Sequence, residues 1–165
     1  MKTILLKSSI YFFLPIILLL IGCQKDVQDP LSFSVRYNSQ DFSLRTTADM
    51  EKFARIFANY GSSVKLDNLH LTDEVYSDGE YKFVRGIALK EAESTVFAIP
   101  LSRKTSMTRD LLPPLTLIPE GCTMECKSNL LCSGACDQTV HEPCARQTCA
   151  CKGGGGGCSA SISYP

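Results

Sequence analysis

The sequence predicts an α+β fold: one helix on an antiparallel β-meander, followed by a small disulfide-rich irregular tail. Three observations carry this. Apolar and polar residues alternate with period two over much of residues 31–101, one segment there has helical spacing, and eight cysteines crowd between Cys122 and Cys158. The chain has 165 residues, 17 basic and 17 acidic side chains, nine cysteines and no tryptophan. That length suits one ordinary domain or two small ones, and a neutral balance without a long basic run excludes a nucleic-acid footprint.

Leu31, Phe33 and Val35 alternate with Ser32, Ser34 and Arg36, which reads as a half-buried strand. Asn38-Ser39-Gln40-Asp41 is turn chemistry, and Phe42-Ser43-Leu44 reads as a second short strand. Thr46 or Thr47 then caps a helix. Asp49 and Glu51 suit its positive end, Met50, Phe53, Phe57 and Tyr60 recur on one face, and Gly61 is placed to close it as a left-handed C-cap. The aromatic stripe reads as core-facing, not as a ligand surface.

Period two returns at Val64-Lys65-Leu66 and Leu69-His70-Leu71, with an irregularity expected at Asp67-Asn68. Ser77-Asp78-Gly79 reads as an Asp-Gly hairpin turn between Glu74-Val75-Tyr76 and Tyr81-Lys82-Phe83-Val84. The strand runs on through Ile87 and Leu89, turns within Lys90 to Ser94, and returns as Val96-Phe97-Ala98-Ile99. This module, residues 31–101, resembles a cystatin-like roll at the level of topology, a likeness that carries no function. Residues 102–121, with Leu112-Pro113-Pro114-Leu115 and Pro119, read as a proline-containing linker.

Residues 122–165 hold Cys122, Cys126, Cys132, Cys136, Cys144, Cys149, Cys151 and Cys158. After Leu131 the tail has few large apolar residues beyond Val140, Ile162 and Tyr164, so cross-links must replace a hydrophobic core. Four disulfides are expected, with a pairing that spacing alone leaves open. Cys149 and Cys151 are too close in sequence to pair with each other. Gly153 to Gly157 form a loop without side chains, flexible unless Cys151 and Cys158 clamp it. The alternative is metal: the same eight thiolates, with His141 among them, as zinc or other thiophilic-metal ligands. No Cys-x2-Cys knuckle supports it, and His141 reads more simply as an exposed loop residue.

No catalytic motif is present: neither His-Glu-x-x-His, nor Gly-x-Ser-x-Gly, nor a phosphate-cradling glycine loop. His70 falls on the solvent side of its strand by alternation. Asp73 with Glu74, and Glu91 with Glu93, read as solvated turn charges. No enzyme activity and no cofactor are expected.

The first residues are an address. Lys2 and Lys7 precede an apolar run from Ile10 to Ile21, interrupted by Pro15 and too short to span a bilayer, so the run reads as a signal-peptide core. Leu20-Ile21-Gly22-Cys23 follows it and resembles the lipobox of bacterial lipoproteins. The resemblance implies cleavage before Cys23, a diacylglycerol on its sulfur and a further acyl chain such as palmitate on the new N-terminus. Gln24 in place of Asp is similar to lipoproteins sent to the outer membrane. Gln24-Lys25-Asp26 resembles the Bacteroidota signal for cell-surface export, with the departure that Val27 and Gln28 separate Asp26 from Asp29.

The expected organisation is therefore a removed signal peptide (1–22), a lipidated tether (23–30), the α+β module (31–101), the linker (102–121) and the Cys-rich tail (122–165). The expected function is a non-enzymatic, lipid-anchored envelope protein on the outer membrane, surface-exposed or facing the periplasm. Its disulfide-stapled head would act as a binding or structural module toward a protein partner. The membrane would be contacted only through the lipid.

Overall fold

Strands β1 (Ser34–Tyr37) and β2 (Gln40–Ser43) pair antiparallel, Val35 opposite Phe42. Their two-residue turn holds Asn38 and Ser39 in left-handed backbone, φ 49° and 63°, the mirror-image turn whose twist matches that of paired strands. The computed structural model describes residues 33–91, 93–103, 116–129, 132, 135–154 and 157–165. The signal peptide, Cys23, the tether, residues 104–115 of the expected linker, and Gly155 and Gly156 of the glycine run lie outside the described residues.

Helix α1 (Thr47–Phe57) starts from Thr46. The Thr46 hydroxyl accepts from the Asp49 N–H at 3.2 Å, while the Asp49 carboxylate accepts from the Thr46 N–H at 3.3 Å. Two otherwise orphaned donors are thus satisfied reciprocally. The helix buries Met50, Phe53, Ala54 and Phe57, as its stripe predicts. It closes earlier than expected: Asn59, with φ 54°, takes the left-handed position assigned to Gly61, because asparagine tolerates that conformation nearly as glycine does. The Gly61 carbonyl instead accepts from the Arg55 guanidinium at 3.0 Å.

A meander follows. Strand β3 (Lys65–Tyr76) pairs with β4 (Gly79–Lys90), and β4 with β5 (Glu93–Arg103), all antiparallel. The irregularity expected at Asp67-Asn68 is a bulge between Asp67 and His70, with Asn68 at φ 50°.

The sheet does not stop at residue 101, and the linker and irregular tail of the sequence reading need correcting. Strand β6 (Thr116–Pro119) lies within the expected linker and pairs with both β5 and β1. Strand β7 (Thr123–Ser128) pairs with β5. The tail then forms a hairpin, β8 (Cys136–Glu142) with β9 (Arg146–Cys151), and ends in β10 (Cys158–Ser163), which pairs with β7. One mixed sheet thus carries eight strands among the described residues, and one compact unit covers Ser32–Pro165. The physical reason is that the long β5 needs a partner along its whole second edge, which the meander alone does not supply.

That second edge is covered by a single broken strand. β6 lies opposite Leu101–Arg103 and β7 opposite Thr95–Ala98, both antiparallel to β5, with Glu120–Cys122 crossing the gap. Pro100 stands at the break. Its carbonyl accepts the Glu120 N–H at 3.0 Å, and the ring nitrogen, which has no proton to donate, faces the interruption instead of a ladder. Gly121, at φ 81°, makes the bend.

The two faces of the sheet bury different cores. Val84, Phe97, Ile99, Leu101 and Leu117 meet Met50, Phe53 and Phe57 of the helix. Phe83, Ala98, Cys122 and Met124 point the other way and meet Val140 of the hairpin, with Tyr76, Tyr81 and Ile162 alongside. The order is helix, sheet, hairpin.

Candidate functional site

The hairpin is the chemically distinctive part of the molecule. Cys136 is opposite Cys151, Gln138 opposite Cys149 and Val140 opposite Gln147. These six residues are buried or half-buried against the sheet, whereas Asp137, Thr139, His141, Arg146, Thr148 and Ala150 face solvent. This is period-two alternation with cysteine and glutamine in the places that other sheets give to valine and leucine.

All eight tail cysteines are paired. The bonds are Cys122–Cys144, Cys126–Cys149, Cys132–Cys151 and Cys136–Cys158, with Cα separations of 5.6, 5.7, 5.6 and 6.0 Å, all ordinary for unstrained bridges. In order along the chain, first pairs with fifth, second with sixth, third with seventh and fourth with eighth. Cys149 and Cys151 do not pair with each other, as expected; each reaches back to a different segment. Cys122 and Cys126 are fully buried and Cys136 is 3% exposed, while Cys132, Cys151 and Cys158 are half-buried.

Between the sulfurs runs a polar clamp that the sequence reading missed. The Gln138 amide donates to the Met124 carbonyl at 2.8 Å and to the Gln147 side-chain oxygen at 2.6 Å, and its own oxygen accepts from Arg85 at 3.3 Å. The Gln147 amide donates to the Glu125 carbonyl at 3.1 Å and to the Ser161 carbonyl at 2.7 Å, so one side chain of β9 ties β7 to β10. Arg85 is held in turn by the Glu74 carboxylate, which also accepts from Tyr76. No buried side-chain nitrogen or oxygen among the described residues lacks a partner, as a buried polar seam requires. The available signal was the alternation of Gln138 and Gln147 with outward Asp137, Thr139, Arg146 and Thr148.

Three tyrosines have acidities weakened by their surroundings. Burial, then the Glu125 carboxylate at 2.6 Å, raise Tyr60 well above its ordinary value. Burial and the hydrogen bond to Glu74 raise Tyr76. The hydrogen bond to Asp78 leads for Tyr81, which is pushed up to about 12.

The remaining candidates fall as follows. His70 is exposed, with Nδ1 2.7 Å from the Asn68 carbonyl, and His141 is exposed, with Nε2 3.1 Å from the Thr148 hydroxyl. Asp73 pairs with Lys82, Glu74 with Arg85 and Glu93 with Lys127, while Glu91 occupies a turn at φ 55°. The structure does not gather the acidic pairs or the histidines into one centre. It does gather the sulfurs of Cys132, Cys151 and Cys158, which lie within 4.8 Å of one another. Comparison with known families, curated proteins and solved structures finds nothing that this chain matches.

Proposed function

We propose that the chain is a non-enzymatic, lipid-anchored envelope protein, acylated at Cys23, held at the outer membrane and displayed on its outer surface. The folded part, Phe33–Pro165, serves as a binding or structural module toward a protein partner. The observation that carries this reading is the disposition of the cysteines. Eight pair among themselves. The ninth, Cys23, is the one that follows the apolar run in the lipobox-like Leu20-Ile21-Gly22-Cys23.

Two further features support it. Four disulfides belong to an oxidising compartment outside the cytosol, and two or three acyl chains hold a protein to a membrane far more firmly than one. The outward face of the hairpin offers Asp137, Thr139, His141, Arg146 and Thr148, a polar surface fixed on a cross-linked base and suited to partner contacts.

Growth with an alkyne-bearing fatty acid tests the anchor. The wild-type chain is expected to carry the label and Cys23→Ala to carry none; equal labelling of both ends the reading. Protease treatment of intact cells tests the side. Loss of the folded part is expected, and full protection would turn the same anchored protein toward the periplasm.

A further inference from the structure

The cysteines nearest the end of the hairpin do more than staple. The Cys132 and Cys158 sulfurs belong to different disulfides yet lie 3.7 Å apart, in van der Waals contact. With Cys151 they form a group of three within 4.8 Å. Cys136 lies outside that group of three, but it is bonded to Cys158 and sits directly opposite Cys151 in the β8–β9 ladder. We propose that Cys132, Cys136, Cys151 and Cys158 form a tetrathiolate site for a thiophilic divalent metal of the zinc class once their two disulfides are reduced. This goes beyond the anchoring reading and does not depend on it.

The geometry is close to what the ion needs. Zinc–sulfur bonds of about 2.3 Å set at tetrahedral angles put sulfurs about 3.8 Å apart. The contact between Cys132 and Cys158 already has that length. The two bonded pairs must open to that spacing, and the Cys136 sulfur must swing toward those of Cys132 and Cys151, changes that side-chain rotation can supply.

The backbone that carries the four cysteines is held independently of the two bonds. Cys136 and Cys151 are fixed by the hairpin ladder, and Cys158 by pairing with Ser128 across β10 and β7. Cys132 bonds through its N–H to the Asn129 carbonyl at 3.0 Å, and the Asn129 N–H bonds to the Gly157 carbonyl at 2.8 Å, next to Cys158. Meanwhile Cys122–Cys144 and Cys126–Cys149 keep the rest of the hairpin on the sheet.

Access differs in the required direction. Cys132 lines an open groove beside Lys90, Glu93, Lys127 and Asn129, and its partner Cys151 is half-buried. Cys136 is 3% exposed, so its bridge is reached from the half-buried Cys158, whereas the other two disulfides each contain a residue with no exposure, Cys122 and Cys126. A dithiol reductant attacks the first pair, then Cys136–Cys158. Each disulfide gains two electrons and two protons, each reductant leaves as its own cyclic disulfide, and binding the metal dication releases protons from the four new thiols.

His141 is excluded from this site. It stands five residues along β8 from Cys136, about 17 Å at the rise of a strand, and its imidazole faces outward toward Thr148.

The test uses the oxidised chain, residues 23–165 carrying Cys23→Ala so that only tail thiols are counted, treated with limiting dithiol until four thiols are titratable, then with Co2+ followed by Zn2+. One cobalt per chain is expected, with thiolate-to-cobalt charge-transfer absorption and tetrahedral d–d bands that zinc abolishes. Alkylation mapping should show Cys132, Cys136, Cys151 and Cys158 modified without metal and protected with it. Cys132→Ser combined with Cys151→Ser should lose the one-to-one complex, whereas Cys122→Ser with Cys144→Ser should keep it. Three results overturn the proposal: no stoichiometric cobalt in the four-thiol protein, protection that falls on other cysteines, or rearrangement to Cys132–Cys158 and Cys136–Cys151 disulfides in place of thiols. The protection map on the chain with all eight tail cysteines decides even if a serine variant does not fold.

Discussion

The Tyr60 hydroxyl donates to the Glu125 carboxylate at 2.6 Å, joining the segment after the helix to β7 across 65 residues of sequence. Phe97, opposite Glu125 in the sheet, packs against the Tyr60 ring with centroids 5.3 Å apart. The pair ties the helix layer to the strand that also carries the disulfide cysteine Cys126.

Stability should therefore fall in alkali. Tyr60 is raised in the folded state by burial and by Glu125, so it favours folding fully below the unfolded phenol value near 10, and that contribution is lost as pH rises beyond it. Tyr76 and Tyr81 are raised too and add in the same sense. Denaturant midpoints from pH 8 upward should be level and then drop above about pH 10. Tyr60→Phe should cost about 1–2 kcal/mol at neutral pH, by leaving Glu125 without its donor, and should flatten the alkaline drop.

Gln147→Ala removes two donors from backbone carbonyls on different strands and the acceptor used by Gln138. A loss of about 1–2 kcal/mol is expected in the oxidised protein, since Glu125 and Gln138 are half-buried whereas Ser161 is exposed. Gln138→Ala should cost a similar amount, and the double variant less than the sum, because the two amides are bonded to each other. Urea unfolding with disulfides intact measures all three.

Gly86 is held to glycine by its neighbours. A Cβ there would stand 2.7 Å from a Leu69 methyl and 2.8 Å from the Phe97 ring, which is fully buried. Gly86→Ala should destabilise by about 1–3 kcal/mol through overpacking. Reduced near-ultraviolet circular dichroism and a lower thermal midpoint are the readouts.

The disulfides should open in a fixed order under limiting reductant. Cys132–Cys151, with Cys132 lining an open groove and Cys151 half-buried, is expected first, and Cys126–Cys149, with Cys126 fully buried under the hairpin, among the last. Sequential alkylation and peptide mapping give the order. Each bridge closes a loop of about twenty residues, so removing one by paired Cys→Ala substitution should cost about 3 kcal/mol.

Local chemistry made the first half of the fold legible. Thr46 with Asp49, the Met50–Phe53–Phe57 stripe, the hairpin turn, which falls at Ser77-Asp78 with Gly79 opening β4, and the bulge at Asn68 each depend on residues near one another in sequence. The helix end was misplaced because Asn59 and Gly61 both suit a left-handed cap and only packing chooses between them. The second half reads in sequence as linker and irregular tail because cysteine spacing signals cross-links and not strands. The cysteines are also the buried members of an alternation, such as Met124 with Cys126, and Cys136 with Val140. The disulfide pairing depends on the non-local register of β7, β10 and the hairpin, which spacing does not encode. In sequence a metal site is equally diffuse, spread over eight cysteines and His141; the fold brings three sulfurs together at one end of the hairpin, with Cys136 bonded to one of them.

The first-to-fifth ladder has a consequence for how the chain would fold if it is exported as proposed. Cys122, Cys126, Cys132 and Cys136 have their partners only at Cys144, Cys149, Cys151 and Cys158. A polypeptide threading outward N-terminus first thus presents four thiols before any correct mate has emerged. Every bond made before Cys144 appears is a wrong one. Export in the presence of a strong oxidant should trap scrambled isomers, and the native ladder should depend on a catalyst that breaks early bonds and lets the last twenty-two residues arrive.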